Sequence, residues 1–191
     1  NSNTAVAQRV LTKYSIKNTT GYGLRALLEF DDPIDMIAHL MIGSEGTLGF
    51  ISEITHNTIN KEPFKASAFL VFPDIATAGK AVTRFKHNNT PVTAAEMIDY
   101  FSLQAVAHMD GVPEYVKDGP SGTVAILVQA ESDSHAELHA DIESIKAEIS
   151  DLPTVVPSQF TEDPREYAAY WTVRKGIFPA VGANRPPGTT T

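Results

Sequence analysis

Along the first sixty residues the spacing of apolar positions changes twice. Val6, Val10 and Leu11 recur at helical spacing within Thr4–Lys13, and turn formers crowd residues 15–23 (SIKNTTGYG). A short helix running into a polar loop is expected there. Asp31 or Asp32 can cap a second helix that has Pro33 at its first position and Ile34, Ile37, Leu40 and Met41 on one face, with Gly43 as its stop. Residues 50–59 are rich in Ile and Thr and read as a strand, and the polar Asn60-Lys61-Glu62-Pro63 stretch then marks a boundary between two domains, 1–58 and 59–191.

Beyond that boundary the pattern becomes rhythmic. Residues 66–72 read as a strand, Asp74 caps a helix with Ile75, Ala78, Val82 and Phe85 on one face, and a loop over 87–90 leads to a second strand at Ala94–Ile98. Residues 101–109 look helical, 110–122 form a loop with two Pro and three Gly, and 123–130 are a near-continuous apolar strand. Ser132 to Ser134 can cap a helix carrying Leu138, Ile142, Ile145 and Ile149, with a short strand at 154–159 after it and a last helix from Pro164 to about Ala180. Two strand–helix–strand units with a helix between them predict an α+β fold of the ferredoxin-like kind, an antiparallel sheet with helices on one face.

Composition narrows the class without choosing a function. Of 191 residues 42% are hydrophobic and 20% charged, within the range of ordinary globular chains, so global disorder is excluded. The balance of 15 Lys+Arg against 23 Asp+Glu gives −8, and no basic stripe with interleaved aromatics occurs, so nucleic acid is not an expected partner. No apolar run approaches the roughly 18 residues of a membrane span. With zero cysteines the chain itself holds no disulfide, thiolate metal site or iron–sulfur ligand. It begins at Asn1, without Met or a leader, and ends in Gly188-Thr189-Thr190-Thr191, which reads as an excised piece of a longer protein.

Two groups of residues could carry chemistry. Residues 43–49 (GSEGTLG) place a glycine at every third position between a helix and a strand, so successive backbone N–H groups could cradle a pyrophosphate. The spacing equally fits a helix stop followed by a turn, since it is neither the dinucleotide fingerprint nor a lysine-bearing P-loop. On the last helix Tyr167, Trp171, Arg174 and Phe178 share a face. Arg174 there could grip a substrate carboxylate with its planar fork, pair internally with an Asp or Glu, or lay its stem on apolar surface.

The other features favour structural roles. His135 and His139 sit one turn apart and could clamp a metal, but HAELH has its Glu in the wrong place for a zinc-protease motif and no third ligand is evident, so a solvated helix flank is the better reading. Asp31-Asp32 and Glu131-Ser132-Asp133 precede helices and are read as caps. Glu96 and Asp99 fall on opposite faces of a strand and do not form an acid–base pair. Ser44 lacks a nucleophile elbow. Residues 185–188 (RPPG) form a stiff turn.

The wording of these segments adds what spacing does not. Residues 43–53 (GSEGTLGFISE) resemble the loop-and-strand signature of the vanillyl-alcohol-oxidase-type FAD-binding domain, and residues 17–22 (KNTTGY) resemble the segment preceding it. Residues 95–99 (AEMID) and 171–174 (WTVR) resemble a cap-domain strand and the substrate-side helix of the D-lactate dehydrogenase, glycolate oxidase and D-2-hydroxyglutarate dehydrogenase branch. KNTTGY together with RPPGTT is similar to the large flavin plus iron–sulfur members of that group.

The resemblance covers nearly the whole chain and implies a piece of an FAD-dependent oxidoreductase that oxidises a 2-hydroxy acid of the D-lactate or D-2-hydroxyglutarate class. Residues 1–58 would be the C-terminal part of the FAD-binding domain and 59–191 most of the cap, or substrate, domain. Thr20 and Gly21 would lie near the flavin, Gly43, Ser44, Glu45, Gly46, Thr47, Gly49 and Ile51 along the FAD diphosphate and adenine, and Arg174 on the substrate carboxylate. The family's first glycine-rich FAD loop, its downstream His and Glu metal ligands and its iron–sulfur cysteines have no counterpart here, so any divalent metal or cluster belongs outside this chain. The chain alone is then expected to bind FAD poorly and to turn nothing over. It is also expected to be cytoplasmic, with its parent peripheral to the inner membrane, and to expose Phe50, Ile51 and Ile54 as a surface for homodimerisation. The rival expectation is a stand-alone ferredoxin-like binding or dimerisation module without catalysis.

Overall fold

A computed structural model of the chain describes residues 3–117, 119–186 and 188–189. The chain divides into two compact units, Asn1–Ile59 and Asn60–Thr191.

In the first unit, helix α1 (Thr4–Lys13) starts where the Asn3 side chain accepts the Val6 N–H at 3.2 Å. A single turn, α2 (Ala26–Glu29), follows the polar loop and is a helix that the apolar spacing did not reveal. Helix α3 (Pro33–Leu40) is capped by Asp32, whose carboxylate accepts the Ile34 N–H at 2.7 Å, with Pro33 in the first turn where its missing donor costs nothing. Phe30 stacks on His39, ring centres 3.9 Å apart, and joins the end of α2 to α3. The strand expected over 50–59 does not form. An isolated strand has no ladder to satisfy its backbone, and the described residues offer this stretch no partner. Phe50, Ile51 and Ile54 are exposed as expected, Phe50 to 91%.

The second unit is built on a three-stranded antiparallel sheet of β1 (Phe64–Phe72), β2 (Ala94–Ile98) and β3 (Val124–Ser132), in the order β1-β3-β2. Leu70 pairs with Ile126, and Met97 with Ile126 from the other side. Both outer strands run antiparallel to β3 and hence parallel to one another, so β1, helix α4 (Ile75–His87) and β2 make a split βαβ unit. Helix α7 (His135–Glu148) returns the chain to the β1 edge, where a ferredoxin-like fold places its fourth strand. The stretch there is irregular rather than the strand expected over 154–159. Val155 donates to Val71 O at 2.8 Å, and Ser67 and Thr161 exchange two bonds of 2.9 and 3.0 Å. Pro153 and Pro157 lack the donors a continuous ladder needs.

Alternation along β1 and β3 sends side chains to two cores. Ala66, Ala68, Leu70 and Phe72, with Val124, Ile126 and Val128, pack under α4 and α7 against Ala78, Ala81, Phe85, Leu138, Ile142 and Ile145, which is the expected helical layer. The opposite face is covered as well. Phe69, Val71, Ala125 and Leu127 meet Ile98 and side chains of α5 (Tyr100–Val106), α6 (Glu114–Lys117) and α8 (Pro164–Asn184). Because both faces are buried, β1 and β3 read as near-continuous apolar runs rather than alternating ones. The short α6 lies within the expected loop over 110–122, where Asp118 falls outside the described residues. Helix α8 runs four residues further than the sequence pattern suggests, through Pro179. It packs closely: a Cβ on Gly176 would sit 2.6 Å from Met109 Cε, and one on Gly111, at φ +92°, would sit 2.7 Å from Ala169 Cβ. No described helix is long and apolar enough to cross a membrane.

Candidate functional site

In the first unit the two segments singled out by wording come together. The Thr47 hydroxyl donates to Ser44 O at 2.6 Å, which uses its only hydrogen, so the Tyr22 hydroxyl 2.9 Å away donates to Thr47 Oγ1. That bond ties residues 17–22 to the loop over 43–49. Tyr14 Oη holds the same segment through Tyr22 O at 3.0 Å, and Thr20 closes a turn on Asn18 Oδ1 at 3.2 Å.

The loop owes its shape to left-handed backbone at Gly43 (φ +77°), Glu45 (φ +51°) and Gly46 (φ +79°). Its internal bonds are few: Ser44 donates to Met41 O and Thr47 to Ser44 O. The N–H groups of Glu45, Gly46, Leu48 and Gly49 donate to nothing among the described residues. Space is open around both Gly43 and Gly46, where an added Cβ would meet no atom within 4 Å. Unbonded amides on a left-handed loop are a donor set that suits a phosphate or diphosphate. Ser44 itself is buried, which agrees with its lacking a nucleophile's setting.

In the second unit, β2, α5 and α8 enclose a cleft of about 300 Å³ lined by Glu96, Met97, Ile98, Ser102, Arg174, Ile177, Phe178 and Val181. Asp99 caps α5 by accepting the Ser102 N–H at 2.8 Å, which places Ser102 at the cleft and keeps Asp99 out of any acid–base pairing. Buried Val173 seats α8 on the sheet and leaves Arg174 at the rim. Its Nε lies 3.2 Å from Glu96 Oε2, with both side chains about 40% exposed. Of the three aromatics that share its helical face, Phe178 lines the cleft, whereas Trp171 packs toward the lower core. Trp171 Nε1 and Tyr115 Oη are buried there without partners among the described residues. Burial pushes the Tyr115 phenol well above its ordinary range, so it stays a neutral hydroxyl.

Sequence spacing selected Arg174 and Phe178 but not their other companions. Met97, Ser102, Ile177 and Val181 carry no chemical signal of their own, and the Glu96 pairing depends on the crossover that brings β2 beside α8. The loop residues and Arg174 fall in different units. The turn over 185–188 includes Pro187, which lies outside the described residues, as do Thr190 and Thr191.

A split βαβ sheet with an arginine-rimmed cleft between α5 and α8 defines the second unit as an α+β domain. The chain belongs to the FAD-linked oxidase family: the family model described as "FAD linked oxidases, C-terminal domain" matches residues 61–191. It is 25% identical over 185 residues to the mitochondrial D-2-hydroxyglutarate dehydrogenase of Arabidopsis thaliana, covering 90% of this chain and 33% of that protein. It is 29% identical over 163 residues to the glycolate oxidase subunit GlcD of Escherichia coli K12, covering 82% of this chain and 30% of the subunit. The chain thus spans about a third of the length of these curated relatives.

Proposed function

We propose that this chain is the substrate-side part of an FAD-dependent oxidoreductase acting on a 2-hydroxy acid of the D-lactate or D-2-hydroxyglutarate class. Residues 59–191 are the cap domain in this reading and 1–58 the closing part of the FAD-binding domain. The observation carrying most of the weight is Arg174 at the rim of a cleft with mainly apolar walls, in a chain whose relatives are named for hydroxy-acid oxidation. A guanidinium held at Nε by Glu96 keeps its two Nη groups as a fork for the substrate carboxylate. Glu96 then fixes the plane of that fork, and Met97, Ile98 and Phe178 offer the rest of the acid an apolar wall.

The unbonded amides of Glu45, Gly46, Leu48 and Gly49 fit an FAD diphosphate, with Gly43, Ser44, Thr47 and Ile51 completing the loop and Thr20 and Gly21 held beside it through Tyr22. Bound flavin supplies the hydride acceptor. Glu96 and Arg174 engage one another as an ion pair, so these residues bind and orient rather than exchange protons.

The test is anaerobic bleaching of the flavin absorbance, using the complete protein that carries this chain and D-lactate or D-2-hydroxyglutarate as reductant. Arg174→Ala should lower kcat/KM about ten- to hundredfold, as expected for a lost charged hydrogen-bond pair, and Arg174→Lys should recover only part of it. Bleaching that is indifferent to Arg174 would remove the carboxylate-grip reading, and absence of flavin binding would remove the oxidoreductase reading.

A further inference from the structure

The ends of α7 and α8 meet at a cluster that the cleft does not use. His135 opens α7 directly after its Ser134 cap, and His139 follows one turn later on the same face. Facing both is Glu162, whose neighbours are pinned on either side. Thr161 exchanges two backbone bonds with Ser67 on the β1 edge, and Asp163 caps α8 by accepting the Arg165 N–H at 2.8 Å. The carboxylate therefore comes from backbone held independently of α7. Its Oε2 lies 3.1 Å from His135 Nδ1 and its Oε1 2.7 Å from His139 Nε2. The His135 ring rests on Phe64, centres 4.2 Å apart, which restricts its rotamers.

From this geometry we infer that His135, His139 and Glu162 form a binding site for a divalent transition cation of the zinc class. The three ligand atoms lie within 4.8 Å of one another. A tetrahedral zinc with bonds of about 2.0–2.1 Å needs them about 3.3 Å apart, a contraction that small rotations of exposed side chains supply. Two imidazole nitrogens and one carboxylate oxygen form a donor set that favours zinc, nickel or copper over magnesium and calcium, which prefer all-oxygen shells. The fourth position stays open to water. The positive end of the α7 dipole opposes a cation, and the local carboxylates offset it. Asp133 and Glu137 flank His135 in the chain. A chain with zero cysteines offers no thiolate to compete for the ion. Loaded with metal, the site would clamp the start of α7 to the irregular stretch that stands where a fourth strand would run.

Calorimetric titration of the protein with Zn²⁺ tests this, repeated with Mg²⁺ in hundredfold excess. The expected result is one site of micromolar affinity that magnesium does not displace, together with a rise in Tm of a few degrees. His139→Ala and Glu162→Gln should each weaken it at least tenfold, His135→Ala/His139→Ala should remove it, and His87→Ala should leave it unchanged. Both histidines are 64% exposed, so these variants should fold, and far-UV circular dichroism checks that they do. In the unsubstituted protein, Co²⁺ should broaden the ring-proton NMR signals of His135 and His139 ahead of those of His39, His56, His87 and His108. Zinc affinity that survives the double substitution, or cobalt broadening spread evenly over all six histidines, would overturn the assignment.

Discussion

Leu127 and Phe50 are both large apolar side chains in apolar stretches, and local pattern assigns both to strands. Leu127 lies at the centre of a sheet, fully buried beneath α5 and α8, while Phe50 is 91% exposed on irregular backbone. The contrast extends to the units around them. In residues 60–191 two continuous cores lie on opposite faces of one sheet, whereas in residues 3–59 only Ala26 and Ser44 are buried, and Ile34 and Ile37 leave the apolar face of α3 open. Helix caps and turn glycines work equally well in both. What separates them is whether an element's apolar face finds a second layer, which local sequence does not specify.

The largest effect expected from this contrast is in the core. Leu127→Ala should cost about 2–5 kcal/mol in denaturant unfolding, and Phe50→Ala should stay within about 0.5 kcal/mol. Equal losses would mean that the first unit hides a core of its own. Hydrogen exchange sharpens the point: β3 amides should exchange only through global unfolding, and those of residues 50–59 almost freely. Next in size is the pair of Lys65 and Glu131 across the β1–β3 ladder, each side chain less than a fifth exposed. Glu131→Ala leaves a half-buried ammonium unpaired and should cost about 1–3 kcal/mol, measured in the same way.

A matched pair of caps gives a smaller and more discriminating test. Ser134 caps α7 and Asn3 caps α1 by the same side-chain bond to the N–H three residues on. Ser134→Ala should lower global stability by about 1 kcal/mol, because α7 is bound to the first core. Asn3→Ala should fray α1 in circular dichroism without moving the global midpoint, because α1 buries no residue. A shifted midpoint for Asn3→Ala would break the comparison.

What could be read from the sequence follows the same line. Asp32 with Pro33, Asp74 and Ser134 announce helices because a cap acts within three residues, and β1, β2 and β3 were legible because their apolar runs are long or their flanks clear. Residues 50–59 and 154–159 carried strand-like side chains yet lacked, respectively, a partner and enough backbone donors. At the candidate sites, Arg174 and the glycine loop stood out by residue type. The Tyr22 bond to Thr47, the Glu96 pairing of Arg174 and the reach of Glu162 to both histidines each join positions more than twenty residues apart. Only the completed topology brings such pairs together, so no window of sequence displays them.

The smallest effect expected is on the acid side. Arg84 makes a two-pronged contact with Asp151 and also donates to Glu148 O at 3.0 Å, joining α4 to the end of α7. The guanidinium holds the Asp151 carboxyl below its usual range, while Asp74 is lowered chiefly by the Thr77 N–H it caps. A carboxyl depressed in the folded state contributes stability that is fully present above its unfolded pKa, near 3.9, and is lost as pH falls through the lower folded value. Both groups should therefore steepen the acid limb of stability below about pH 4, and Asp151→Asn or Asp74→Asn should flatten it. Salt tells the two causes apart. The Asp151 side chain is two-thirds exposed, so its contribution should shrink in high salt, whereas the short backbone bonds at Asp74 should keep theirs. If the acid limb were instead set by carboxylates of residues 3–59, neither substitution would move it, and the cooperative transition could no longer be assigned to the second unit alone.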